Sequence, residues 1–146
     1  MAVRIVLWQR GVASEAGGGA AAWTRRSLAN HAEAWGGVLA GGLGASAAAI
    51  FPGERLDSAI EAGLLQLDEA EAAGHRIALG LALGEVDDQA GVPEGAGLDR
   101  AAALAGRARS GELLVDAGVL RIAEGRWLFR RRRRADGVWG AAVDRR

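Results

Sequence analysis

The sequence predicts an α+β fold, with a mainly antiparallel sheet, helices on one face and an extra β-hairpin at the C-terminal end. Short apolar segments of strand character alternate with amphipathic segments of helical periodicity, and glycine-rich breaks separate them. The length of 146 residues fits a single domain, residues 1–146. The predicted order is strand, helix, two strands, helix, strand, helix and further strands. A β-α-β-β-α-β order of this kind is that of a ferredoxin-like sheet.

The first half of the chain begins with a strand. Residues 2–9, AVRIVLWQ, have the β-branched and aromatic character of a buried strand, and Gly11 closes it. A helix is predicted over residues 20–35, because apolar residues recur there every three to five positions. The segments VLAG and ASAAAIF then predict the two strands of a hairpin, with glycines making the turn.

The second half begins with a helix that Ser58 is expected to cap and that runs to about Ala73. RIALGLALGEV predicts the next strand, and an alanine-rich helix is expected from about Leu98 to Arg107. ELLVD predicts a short strand. A final hairpin joins RWLFRRRRR to VWGAAVD through a turn at residues 135–137.

The sequence contains no cysteine and no lysine. Disulfides, thiolate nucleophiles, Schiff-base lysines and P-loop lysines are therefore excluded. All 18 basic residues are arginine, which together with the many alanines and glycines indicates a GC-rich genome. No apolar run reaches the roughly 20 residues that span a bilayer, and the first residues do not resemble a signal peptide. We expect no membrane insertion and a cytoplasmic location.

The net charge of zero conceals an uneven distribution. Residues 1–99 contain six arginines and 13 acidic residues, a balance of −7, whereas residues 100–146 contain 12 arginines and five acidic residues, a balance of +7. Two interpretations stay open at this point. Copies of the chain associate head to tail, or the two parts neutralise each other within one monomer.

Three segments resemble the catalytic domain of class III adenylate and guanylate cyclases. GGVLAGGLGASAAAIFPG is similar to the family's GGxxxKxxGDxxxAxFP, and RIALGLALGEV resembles its RIGIHTGEV. GAGLDRAAALAGRARSGELLVD is similar to the family's GxxVNxAARLxxxAxxGExLVS. The three matches occur in the family's order between residues 36 and 116, and they contain 51 residues in all. The resemblance implies the cyclase-homology form of the ferredoxin-like fold, and we expect a bacterial member.

The resemblance places uncharged residues where class III cyclases hold two metal ions. The family's two metal-binding aspartates correspond to Gln9, at the end of the first strand, and to Ala45, in the hairpin. Two-metal chemistry needs hard, anionic oxygen ligands. Gln9 is neutral and Ala45 has no ligand atom, so we expect no bound metal and no cofactor.

The positions that serve the base, the ribose and the transition state in the family have also changed. The lysine that reads the base corresponds to Gly41, and its partner falls near Val92. The asparagine that orients the ribose corresponds to Asp99, and the arginine that stabilises transition-state charge corresponds to Ala103. Because all of these positions have changed, we predict a pseudo-cyclase without catalytic residues rather than an enzyme.

The main candidate interaction surface combines an arginine run near the C-terminal end with one tryptophan of the first strand. Its residues are Trp8, Arg126, Arg130, Arg131, Arg132, Arg133 and Arg134. Such a run binds nucleic acid, acidic lipid or an acidic protein surface, or it lies in an edge strand where the charges prevent aggregation. We favour the edge strand. Nucleic acid is the less favoured partner, because the paired aromatics that stack bases are not visible.

A retained framework with altered site positions predicts a module that dimerises or binds a protein partner in bacterial signalling. Two alternatives stay open. In the first, the former nucleotide cleft binds a nucleotide or another small molecule without turnover. In the second, residues 130–134 bind nucleic acid or another acidic surface.

Overall fold

The computed structural model describes residues 2–12, 20–40, 46–88 and 92–145, and it confirms the predicted α+β class. The strands are β1 (Ala2–Gly11), β2 (Val38–Ala40), β3 (Ala47–Pro52), β4 (Ile77–Val86), β5 (Leu113–Asp116), β6 (Phe129–Arg134) and β7 (Gly137–Val143). The helices are α1 (Ala20–Ala34), α2 (Leu56–Ala72), α3 (Ala96–Arg107) and α4 (Ala117–Ala123). In the described ranges, no helix is long and apolar enough to cross a membrane.

The strands form one sheet in the order β2-β3-β1-β4-β5-β7-β6. β1 pairs antiparallel with both β3 and β4, so the first strand of the chain lies inside the sheet. β4 and β5 pair in parallel, and β7 pairs antiparallel with β5 and β6. The predicted C-terminal hairpin is therefore confirmed, and its arginine-rich strand β6 is at one edge.

Helices cover both faces of the sheet, which differs from the expectation that they share one face. Ile5 and Leu7 of β1 face a core that includes α1, α2 and α4, whereas Val6 faces a second core. The second core includes Leu98 and Leu104 of α3. β4 and β5 are parallel neighbours, so the chain must return along the sheet between them, and α3 makes this return. It packs on the face opposite α1 and α2.

Two glycines of β4 allow α3 to lie directly on the sheet backbone. A Cβ atom on Gly80 would lie 2.3 Å from the carbonyl oxygen of Ala101. A Cβ atom on Gly84 would lie 2.8 Å from the Cα atom of Gly97. Because protein interiors are close-packed, these contacts leave no space for a side chain. The glycines therefore set the distance between α3 and the sheet.

The start of α2 and the presence of α4 differ from the sequence-based prediction. α2 begins at Leu56 instead of near Ser58, and its N-cap residue Arg55 makes no side-chain capping hydrogen bond. The periodicity did not indicate α4, because seven residues are too few to establish a helical pattern. Asp116 starts α4, since its Oδ1 atom accepts a hydrogen bond of 2.8 Å from the amide of Val119.

Candidate functional site

The first predicted metal position holds a buried amide. Gln9 is 5% exposed, and its Oε1 atom accepts a hydrogen bond of 2.6 Å from Nε2 of Gln66 on α2. Gln66 is fully buried and also donates to the carbonyl oxygen of Thr24 at 3.0 Å. Ser27 donates from its hydroxyl to Oε1 of Gln66 at 2.6 Å. Buried polar groups need such partners, so Gln9 serves here to connect β1 with α2 and α1.

Three of the other predicted positions are described, and the two of them on α3 are separated from Gln9. Gly41 and Ala45 lie outside the described residues. Asp99 and Ala103 lie one turn apart on α3, and both are exposed, as is Val92 at 58%. Since Gln9 faces α2 and α3 covers the opposite face, the sheet separates Gln9 from both α3 positions.

Within residues 2–12, 20–40, 46–88 and 92–145, no group of three His, Cys, Asp or Glu side chains is arranged to hold a metal ion. Two arginines beside α3, Arg10 and Arg100, instead hydrogen-bond to backbone carbonyl groups.

Two arginines hold α3 against the sheet. Arg100 donates from Nη1 to a β4 carbonyl oxygen at 2.7 Å and lies 3.8 Å from a carboxylate oxygen of Asp116. Arg10 of β1 donates from Nε and Nη2 to the carbonyl oxygens of Ala105 and Ala108, at 2.8 and 2.7 Å. The last carbonyl groups of a helix lack intrahelical partners, and Arg10 satisfies two of them at this end of α3. Both side chains therefore have structural roles.

The predicted arginine run forms the edge strand β6. Two of its arginines are paired within the chain. Arg131 donates from Nη2 to Glu124 at 2.7 Å, and Arg132 forms an ion pair with Glu112, which is buried. These carboxylates neutralise part of the positive charge of β6.

A tryptophan on the neighbouring strand contacts a further arginine of the run. The guanidinium of Arg134 lies 5.1 Å from the ring centroid of Trp139, and that of Arg107 on α3 lies 5.0 Å from the same centroid. Both distances are in the range of cation–π attraction. Arg130 and Arg133 are exposed, and neither has a hydrogen-bond or ion-pair partner among the residues that the structure describes.

Arg126 is paired with Asp57 at the start of α2. Its Nε atom lies 2.9 and 3.0 Å from the two carboxylate oxygens, and the indole Nε1 of Trp127 donates to the same carboxylate at 2.9 Å. The hydrogen bond from Trp127, followed by the interactions with Arg126, lowers the pKa of Asp57 below its ordinary value. Arg126 therefore joins the loop after α4 to α2.

Trp8 lies apart from the arginines, because β4, β5 and β7 separate β1 from β6. Its side chain packs partly buried against the α3-side core, as does Ala40. Val38 pairs with Ile50 in the register of β2 and β3, so it shares that face, and it is 61% exposed. The candidate surface thus divides into an apolar part near Trp8 and a charged part on β6.

Two residues that organise these regions were missed by the sequence analysis. Gln66 lies among the buried apolar residues of α2, and a polar residue on an apolar helix stripe is the signal that indicates a buried hydrogen-bond network. Glu112 precedes β5 and is buried beside Arg132. Its pairing had no local signal, because the two residues are distant in sequence.

With this geometry, the fold is that of adenylyl and guanylyl cyclase catalytic domains. The structure matches the adenylyl cyclase CyaB from P. aeruginosa with a TM-score of 0.75 at 14% identity, covering 99% of this chain and 95% of that one. It matches the guanylyl cyclase domain of the RhoGC fusion protein from the aquatic fungus Blastocladiella emersonii with a TM-score of 0.77 at 11% identity, covering 97% and 93%. An adenylate/guanylate cyclase/hydrolase from Silicibacter pomeroyi matches with a TM-score of 0.74 at 15% identity, covering 97% and 94%.

Comparison by sequence found no such relatives. No protein-family model matches the chain, and no curated protein matches it. At identities of 11–15% the structural matches show the fold alone.

Proposed function

We propose that this chain is a non-catalytic cyclase-homology domain, a module for dimerisation or protein interaction in cytoplasmic bacterial signalling. The observation that carries the proposal is the hydrogen bond between Gln9 and Gln66. Where the resembling family has a metal-binding aspartate, this chain has a neutral amide that faces the core. The residue supplies a packing contact in place of an anionic ligand.

The positions on α3 support the same proposal. Ala103, at the place of the family's transition-state arginine, cannot donate a hydrogen bond from its side chain. Asp99, at the place of the ribose-orienting asparagine, carries a negative charge on an exposed helix surface. A negative charge there repels a nucleotide triphosphate, which is itself strongly anionic.

Turnover tests the loss of catalysis. The purified chain is incubated with ATP or GTP and with Mg²⁺ or Mn²⁺, and cyclic nucleotide is measured beside an active cyclase domain. We expect no product. Product formation that persists through purification and is abolished by Asp99→Ala would contradict the proposal.

Nucleotide binding is a separate measurement. Calorimetry with ATP, GTP and both cyclic nucleotides, with and without Mg²⁺, is expected to show no heat of binding. Saturable binding without turnover would favour the alternative function, a sensor that retains a nucleotide cleft.

The apolar surface on the α3 side of the sheet is the proposed interaction surface. Val38 of the edge strand β2 is 61% exposed and shares this face with Trp8 and Ala40. The exposed Val38 and the partly buried Trp8 and Ala40 give this face an apolar character, and exposed apolar surface favours association. One of the structures with this fold, the guanylyl cyclase domain from B. emersonii, is described as dimeric.

Oligomeric state tests this surface with a matched pair of variants. Val38→Arg places a charge on the proposed surface, and Val92→Arg places the same charge on an equally exposed valine beside α3. Light scattering over a range of concentrations is expected to show a dimer for the parent and for Val92→Arg, and a monomer for Val38→Arg. A parent chain that is monomeric at the highest concentration and captures no partner would contradict the proposal.

A further inference from the structure

The outer edge of β6 has backbone groups without partners in the described part of the chain. β6 pairs with β7 on one side and ends the strand order on the other. The backbone hydrogen bonds made outside regular elements include none from residues 129–134. Along an edge strand, alternate N–H and C=O groups point away from the sheet and can accept an added strand.

Two arginines of β6 have no interaction partner among the described residues. Arg131, Arg132 and Arg134 interact with groups of the chain itself, whereas Arg130 and Arg133 are exposed without partners among the described residues. A strand laid along this edge would bring side chains beside Arg130 on one face of the sheet and beside Arg133 on the other, because these arginines pair with Ala142 and Val138, which belong to opposite cores. Carboxylates are the side chains that match them, since guanidinium–carboxylate hydrogen bonds are charge-assisted.

A groove with a mixed lining lies at the first residues of β6. It has a volume of about 500 Å³, and its lining combines apolar with charged side chains: Trp127, Leu128, Phe129, Glu124, Arg126 and Arg131. Leu128 is 52% exposed, and Ile122 on the preceding helix α4 is 49% exposed. A peptide that follows the β6 edge reaches this groove at one end, where a bulky apolar side chain would bury these surfaces.

We propose that the edge of β6 binds an extended acidic segment of a partner protein by strand addition, with an apolar residue of that segment in the groove. A second copy of β6 is a poor occupant, because its arginines would lie opposite arginines. Nucleic acid is also a poor occupant. Arg126, Arg131 and Arg132 are already paired with carboxylates, so no continuous positive stripe follows a phosphate backbone. This site is separate from the apolar surface at Val38 and does not depend on dimerisation.

Fluorescence anisotropy tests the proposal with the whole chain. The probe is a labelled short peptide in which one leucine precedes a run of consecutive glutamates, so that carboxylates lie on both faces of the added strand. A second peptide has the same sequence with alternate backbone amides N-methylated, which removes half of its N–H donors. We expect saturable binding of the first peptide and binding at least about tenfold weaker for the second, because strand addition depends on main-chain hydrogen bonds.

The protein variants separate the β6 edge from charge in general. Arg130→Glu combined with Arg133→Glu is expected to weaken peptide binding by about tenfold or more. The control, Arg26→Glu combined with Arg76→Glu, changes the net charge equally on exposed residues of α1 and of the segment before β4. Its binding is expected to stay within about twofold of the parent. Circular dichroism establishes that both double variants are folded.

Three outcomes would overturn the inference. The first is the absence of peptide binding to the parent. The second is equal binding of the N-methylated peptide, since contact would then be by charge alone. The third is equally tight, β6-dependent binding of oligothymidylate or of vesicles containing anionic lipid, which would assign the edge to polyanions or membranes instead.

Discussion

The side chains of Gln9 and Gln66, 57 residues apart in the sequence, are joined by a hydrogen bond of 2.6 Å inside the protein. Gln66 is also hydrogen-bonded to the Ser27 hydroxyl and the Thr24 carbonyl, so a single amide connects β1, α1 and α2. In the interior, loss of one member leaves the others without partners, and an unsatisfied buried group costs more than a hydrogen bond contributes. The position that resembles a metal ligand therefore affects stability.

Substitution of Gln66 tests this network. Gln66→Leu removes the partner of Gln9 and of Ser27, and we expect the free energy of unfolding to fall by about 2–3 kcal/mol. Urea denaturation followed by circular dichroism measures the change. Ser58→Ala, on the first turn of the same helix, is the control and is expected to stay within about 0.5 kcal/mol of the parent. A loss below about 1 kcal/mol for Gln66→Leu would show that the network contributes little.

Replacement of glycine by alanine is predicted to have opposite effects at two positions, Gly80 beneath α3 and Gly106 on α3. Gly80→Ala would place a Cβ atom 2.3 Å from a backbone oxygen of α3, so we expect destabilisation of about 3 kcal/mol or failure to fold. Gly106→Ala lies on α3 where a Cβ atom meets nothing within 4 Å, and we expect stabilisation of about 0.5–1 kcal/mol. Denaturant titration of both variants makes the comparison. Equal effects would contradict the close approach of α3 and β4.

The lowered pKa values of two carboxylates predict how the stability of the fold declines in acid. Hydrogen bonds from Trp127 and Arg126 lower the pKa of Asp57, and those from Arg145 lower the pKa of Glu71. With the folded-state pKa below the unfolded one, the unfolded chain binds protons more readily. The stabilisation is therefore present above the unfolded pKa and is lost as the pH falls through the folded pKa.

The measurement is the melting temperature from about pH 7 down to about pH 3, a range that includes the ordinary pKa values of carboxyl groups. Asp57→Asn and Glu71→Gln are each expected to lower the melting temperature at neutral pH and to make its decline in acid shallower. Glu54→Gln, in the exposed turn before α2, is the control and should leave the profile unchanged. A parallel shift of the whole profile for all three variants would contradict the assignment.

The contact of Arg107 with Trp139 joins α3 to the C-terminal hairpin. Removal of the charge in Arg107→Gln is expected to cost about 0.5–1 kcal/mol, the range for an exposed cation–π contact. Hydrogen exchange should become faster in β7 near Trp139. Arg109→Gln, just beyond α3, removes the same charge at a residue without an aromatic contact in the described part of the chain, and it should leave exchange in β7 as in the parent. Equal protection in both variants would show that the contact does not stabilise the hairpin.

Much of this protein was determined by local sequence patterns. The strand character of residues 2–9, the apolar spacing of the α2 segment and the glycine-rich breaks predicted the order of elements, since backbone conformation and period depend on neighbouring residues. The C-terminal hairpin with its arginine-rich strand followed from the same patterns. The uncharged side chain at position 9 is likewise a property of the sequence alone.

Tertiary packing decided what those residues contact. The face of the sheet on which α3 packs is decided by the tertiary fold, and the periodicity of α3 does not indicate it. The partners of Gln9, Arg132 and Arg126 are Gln66, Glu112 and Asp57, which the chain brings together from 57, 20 and 69 residues away. Hydrogen bonds and ion pairs depend on distances in space, and separation along the sequence does not determine those distances until the sheet has formed.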